Sequence, residues 1–179
     1  MGASGGPGIW ALAYDTMARR VELVALDVDD IAFLPDGTGR VLIRRSKTDQ
    51  GGEGNTAYLA RGTVRLLQAW LDAANIKEGA VFRRLVGRGR IGGRLGVDSV
   101  AEIFKRVAKF VDMEKKDVEG VSGHSVRVGA AQDLLALNID LASVMQAGRW
   151  KSNRIPMRYG EHVLAARGGM TRAATRSHY

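Results

Sequence analysis

Between residues 28 and 59 turn residues recur too often for a helix to form, and this constrains the fold more than any other feature. Val28-Asp-Asp-Ile-Ala-Phe-Leu runs into Pro35-Asp36-Gly37-Thr38-Gly39, Arg40-Val-Leu-Ile-Arg follows, and after a glycine-rich loop comes Asn55-Thr-Ala-Tyr-Leu. Short apolar runs separated by Pro-Asp-Gly and Gly-Gly signals predict a three-stranded antiparallel meander. Around it the apolar period is helical. Ile9, Leu12, Ala13, Met17, Val21, Val24 and Ala25 mark helix over 9–26, in one or two pieces, and Val64, Leu67, Ala69, Trp70 and Leu71 mark another over 63–74. Asp98 or Ser99 can cap a helix to about 111, and 125–137 is a further helix. Asp140 caps 141–147 before Gly148, Ser152 or Asn153 opens a segment through Tyr159, and the tail is helical from Glu161 to about 174. The expected class is α+β: mostly helical, with one small three-stranded antiparallel sheet near the N-terminal side. Residues 1–8, glycine-rich with Pro7, read as a flexible head, and 9–179 as one domain.

Of the 179 residues 45% are apolar, enough for a core, so overall disorder is excluded. No stretch approaches 18 uninterrupted apolar residues, the start lacks the basic-then-apolar pattern of a secretory signal, and there are no cysteines. The expectation is a soluble cytoplasmic protein without disulfides or thiolate metal sites. Charge points to a partner. The net charge is +8, and twenty of the twenty-seven cations are arginine, whose planar fork matches phosphate oxygens. Arg83, Arg84, Arg88, Arg90 and Arg94 lie in one stretch with four glycines and no acid. Such a stretch is either a solvated loop or a contact that tracks a phosphate backbone.

Two segments can carry chemistry. Gly123-His124-Ser125-Val126-Arg127-Val128-Gly129 places a His and an Arg three residues apart at a helix start, on one face. Gln146-Ala-Gly148-Arg149-Trp150-Lys-Ser-Asn is followed by Tyr159, nine residues after the tryptophan. Each is weak alone: a His-x-x-Arg pair is ordinarily a surface pair, and Trp150 and Tyr159 are ordinarily packing residues.

Read together, Ser122-Gly-His-Ser-Val-Arg-Val-Gly-Ala-Ala-Gln-Asp-Leu, Met145-Gln-Ala-Gly-Arg-Trp-Lys-Ser and Arg158-Tyr159 closely resemble the catalytic domain of the tyrosine recombinases, the phage-integrase family. The family's first arginine, three residues before a glutamate, is matched by Arg19 and Glu22. Its lysine, between the second and third strands, is matched by Lys47. The resemblance implies a site-specific recombinase that cleaves and rejoins double-stranded DNA through a 3′-phosphotyrosine. In it Tyr159 is the nucleophile, Arg19 and Arg127 clamp the non-bridging oxygens, and Lys47 protonates the leaving 5′ oxygen. His124 donates to the phosphate and assists proton transfer, Trp150 fills a position often held by His, and Glu22 orients a neighbouring catalytic side chain. Arg20 and Arg149, beside motif residues, join the five clustered arginines as candidate DNA contacts.

This chemistry is physically coherent. Attack on a phosphodiester needs a nucleophile, neutralisation of charge on the phosphorane, and a proton for the leaving oxygen. Arginines supply electrostatically what metals supply in nucleases, so neither cofactor nor metal is expected. Tyr14, Tyr58 and Tyr179 compete as nucleophiles, but none follows the His-x-x-Arg and Trp at family spacing. A type IB topoisomerase-like enzyme shares the chemistry, and a non-catalytic remnant of an integrase would keep only DNA binding. Relatives usually carry an N-terminal helical domain for which the ten or so residues before the first helix leave no room, so a catalytic fragment is expected. The tail, 160–179, either packs on its own chain or links protomers in a tetramer on DNA. A protein so bound would be nucleoid-associated.

Overall fold

Pro7 lies in the first turn of α1 (Gly6–Thr16), where a helix has no use for its missing N–H. The helix therefore starts inside the stretch that the sequence assigns to a flexible head. Gly6 and Gly8 are buried, and at Gly8 the helix packs on α3 (Arg61–Ala73), where a Cβ would stand in ordinary contact, 3.5 Å from Leu66 O and Leu67 Cδ2. Met17, at φ 49°, ends α1 in the left-handed region, and α2 (Arg20–Ala25) starts anew, which breaks the 9–26 periodicity into two pieces. This computed structural model describes residues 5–44, 54–166, 168, 171, 173 and 174.

The meander is present. Strands β1 (Ile31–Phe33), β2 (Gly39–Ile43) and β3 (Asn55–Leu59) form an antiparallel sheet in sequence order, with Val41 opposite Ile31 on one side and Ala57 on the other. Its first turn follows from chemistry: Gly37 takes φ 82°, and the Asp36 carboxylate accepts from Thr38 N at 2.9 Å and Thr38 Oγ1 at 2.6 Å. Along β2 the side chains alternate strictly between buried and exposed.

Residues 83–94 are not a loop. They form a second, two-stranded sheet of β4 (Arg83–Val86) and β5 (Arg90–Arg94), closed by a turn in which Arg88 (φ 56°) and Gly89 (φ 77°) are both left-handed. α4 (Ser99–Phe110) begins where expected, but Asp98 makes no side-chain cap and lies 3.6 Å from Arg20 Nη1 instead. A short α5 (Lys115–Gly120) was not foreseen. Then come α6 (Ser125–Ala136), α7 (Leu141–Gly148), α8 (Arg154–Tyr159) and α9 (Glu161–Ala166). Asp140 caps α7 as expected, accepting from Ser143 N at 2.9 Å.

The chain divides into two compact units, Met1–Val126 and Arg127–Tyr179. The core of the first holds Ile9, Leu12, Val41, Leu59, Leu67 and Phe104, all nearly inaccessible to water. Each such side chain contributes about 1.5–3 kcal/mol through burial. Trp10 meets Phe104 edge to face at 5.2 Å, and Trp70 Nε1 donates to Val81 O at 2.8 Å. In the second, Ala130, Ala131, Leu135, Val144 and Pro156 are buried, and α8 packs between α7 and α9. Among the described residues no helix is long and apolar enough to cross a membrane.

Candidate active site

In the first unit, Arg19 is the residue before α2, and the buried Glu22 in the helix's first turn holds it twice. Oε2 accepts from Arg19 N and Oε1 from Arg19 Nη1, each at 2.8 Å. The carboxylate thus fixes both the backbone and the guanidinium of Arg19, which keeps about a third of its side chain exposed. A free arginine has several rotatable bonds to immobilise, and this pairing removes part of that cost before any anion arrives.

The turn that carries His124 lies against the start of the same helix. A Cβ on Gly123 would stand 3.1 Å from Arg20 Cδ, so the glycine admits the aliphatic stem of Arg20 beside the histidine. Ser122 N donates to Ser125 Oγ at 2.9 Å, and His124 N to Ser122 Oγ at 3.2 Å. These bonds fix the turn ahead of α6, in which His124 is exposed. Lys47 lies outside the described residues.

The second unit brings three expected residues together. Arg127, only 3% exposed, donates through Nη2 to Gly148 O, and its guanidinium carbon stands 4.5 Å from the centroid of the Trp150 ring. A buried cation over an indole face is attracted by the ring quadrupole. The Trp150 ring in turn meets Tyr159 edge to face, with centroids 5.9 Å apart at 71°. Charge, shelf and phenol form one continuous row. Gly148-Arg149-Trp150 makes the turn that allows this: Arg149 caps α7 at φ 53°, and a Cβ on Gly148 would fall 2.1 Å from Trp150 Cζ3.

Two residues of the row's support carried no signal in the sequence. Gln132 Nε2 donates to the Tyr159 carbonyl at 3.0 Å, and Gly160 passes so close to α6 that a Cβ would fall 2.2 Å from Leu135 Cδ1. Tyr14 and Tyr58 lie exposed in α1 and β3, and Tyr179 is outside the described residues.

The candidate DNA arginines fall into separate groups. Arg83 donates to Ala80 O at 3.1 Å and to Glu78 O at 2.5 Å, while Arg94 donates to Val24 O at 2.9 Å and to the Asp27 carboxylate at 2.6 Å. Both tie the hairpin to its own unit. Arg84, Arg88 and Arg90 are exposed. Arg20 is exposed beside Asp98, and Arg149 is half-buried in its turn. Among the described residues no three His, Cys, Asp or Glu side chains gather as a metal-holding group.

The profile of the Phage integrase family matches residues 8–165. Recombinase cre of Escherichia phage P1 is 27% identical over 172 residues, which cover 90% of this chain and 50% of that protein. The integrase/recombinase xerD homolog of Selenomonas ruminantium is 33% identical over 150 residues, covering 80% and 43%. The chain spans about half the length of the curated relatives it matches. Among solved structures, XerH site-specific recombinase bound to palindromic difH substrate in a post-cleavage complex superposes with a TM-score of 0.67 at 18% identity, over 93% of this chain and 46% of that one. XerA recombinase gives 0.67 at 18%, over 97% and 57%. At that identity the likeness is one of fold.

Proposed function

This chain belongs to the phage integrase family, and on that footing we propose that it is the catalytic domain of a site-specific recombinase, cleaving and rejoining double-stranded DNA through Tyr159. The row from Arg127 over Trp150 to Tyr159 carries this reading. Tyr159 Oη attacks the phosphorus, an O–P bond forms, and the bond to the 5′ oxygen breaks. The phenolic proton leaves with the help of His124, and Lys47 gives a proton to the departing 5′ oxygen. The product is a 3′-phosphotyrosine and a free 5′-hydroxyl. Bond energy is kept in the ester, so a 5′-hydroxyl from another strand reverses the step and joins the strands.

Arg127 suits the phosphate role because it is buried and already oriented, and charge stabilisation by fixed groups needs no reorganisation during reaction. Arg19, held by Glu22, supplies the second guanidinium. Arg84, Arg88 and Arg90 of the β4–β5 hairpin meet phosphates, as do Arg20 and Arg149, each next in sequence to a motif residue, while Arg83 and Arg94 hold the hairpin to its own unit. The protein assembles as a tetramer on DNA through the tail after Tyr159 and is nucleoid-associated while bound. Family resemblance supports that assembly; within its own chain α9 packs on α8.

Strand exchange between two differently labelled duplexes carrying candidate inverted repeats tests the proposal, with EDTA present and ATP absent. Recombinant strands are expected. Exchange that requires a divalent ion or a nucleotide contradicts the phosphotyrosine route.

A further inference from the structure

α8 is a six-residue helix, too short to hold its own direction, and the residue at its end is the proposed nucleophile. Its last carbonyls have no partner within the helix. One of them, Tyr159 O, accepts from Gln132 Nε2 at 3.0 Å. The bond joins residues 27 apart in sequence. One turn further along α6, Leu135 touches the next residue of the chain, Gly160, which approaches without a Cβ. Gln132 and Leu135 therefore grip residues 159 and 160 from one face of α6. Arg127 stands on that same helix, five residues before Gln132.

We propose that Gln132 is a positioning residue for the nucleophile. Its amide fixes the Tyr159 carbonyl, and with it the backbone from which the phenol is aimed. One helix thereby sets both the guanidinium that meets the phosphate and the phenol that attacks it. Reaction requires the phenol oxygen and phosphorus at near-attack distance, and a displacement of about 1 Å can cost on the order of 100-fold in rate. A hydrogen bond to the backbone of the attacking residue is well placed to control that distance. The inference rests on the assignment of Tyr159 as nucleophile.

What matters is that residue 132 donates, and a carboxyl group distinguishes this from mere packing. In Gln132→Glu the ionised side chain has no donor and faces the carbonyl with negative charge, whereas the protonated form donates as the amide does. In Gln132→Leu size is nearly kept and the donor is lost at every pH. The experiment measures single-turnover formation of the covalent adduct on nicked duplexes from pH 5 to 8, as a ratio to wild type at each pH. DNA affinity and thermal unfolding are followed alongside.

Gln132→Leu is expected to bind DNA normally and cleave about 10-fold more slowly throughout. Gln132→Glu is expected to be slower still at pH 8 and to recover toward the wild-type rate as pH falls and its carboxyl takes up a proton. A Leu variant that cleaves like wild type overturns the inference, as does a Glu:wild-type ratio that does not change with pH. If the Leu variant fails to fold, the pH dependence of the Glu variant decides. Absence of an adduct from wild type itself overturns the nucleophile assignment, a failure separate from the loss of an effect at Gln132.

Discussion

Trp150 stands edge to face with Tyr159, ring centroids 5.9 Å apart, while its own face is covered by the guanidinium of Arg127. The tryptophan thus stands between the guanidinium proposed to bind phosphate and the phenol proposed to attack it. An aromatic pair contributes about 0.5–1.5 kcal/mol beyond burial, and a desolvated cation–π contact about 2 kcal/mol. Trp150→Ala is expected to lower the cleavage rate about 10- to 100-fold, and Trp150→Phe, which keeps a ring, to stay within about 10-fold of wild type. Gly148→Ala should resemble Trp150→Ala, since a Cβ at 148 would displace the indole. Single-turnover cleavage of nicked duplexes compares the three.

Glu22 holds Arg19 from a buried position. In Gln at this site, one of the two oxygens facing Arg19 donors is replaced by an amide that itself donates. Hydrogen bonds to charged groups contribute about 1.5–3 kcal/mol. Glu22→Gln should lose stability of that order and cleave about 10-fold more slowly, while Glu22→Asp, with its shorter reach, falls between Gln and wild type. Denaturant unfolding and cleavage assays on the same preparations check both.

The cap of α7 carries a pH signature. The hydroxyl of Ser143, and then its backbone N–H, donate to the Asp140 carboxylate and hold its pKa below the ordinary value of 3.8. Because the folded value is lowered, the cap's contribution is present above the unfolded value and lost as pH falls through the folded one. Asp140→Ala should therefore lower Tm at pH 7, and the gap to wild type should close below about pH 4. Thermal unfolding across pH 3 to 7 measures it.

The hairpin arginines should separate by salt. If Arg84, Arg88 and Arg90 each meet one phosphate, changing all three to Gln reduces the slope of log K against log salt by about 2.7, at about 0.9 per contact. Arg83→Gln and Arg94→Gln, which remove bonds to the unit's own carbonyls and Asp27, should lower Tm with little change in slope. Binding isotherms at several salt concentrations give the answer.

Where local chemistry determines structure, the sequence was legible. The turn at Asp36, the strand that follows it and the Asp140 cap rest on neighbouring residues and appear as expected. The motif residues Arg127, Trp150 and Tyr159 were legible because their spacing matches a known pattern, and they do form one row. The β4–β5 hairpin was not: its strands are rich in arginine and glycine and lack an apolar alternation to betray the pairing. α1 hid because its first turn is Gly6-Pro7-Gly8, a composition that reads as loop although it lies buried in a helix at both glycines. Gln132 and Gly160 matter through contacts made across 27 and 25 residues of chain, on which periodicity is silent.

The central claim, that this chain breaks DNA with Tyr159, is tested most directly by covalent trapping. Wild type and Tyr159→Phe are incubated at low salt with labelled nicked duplexes and run on denaturing gels. A shifted band from wild type that is absent from the Phe variant, with DNA binding unchanged, is the predicted result. A band of equal strength from both proteins would contradict it and place the nucleophile elsewhere.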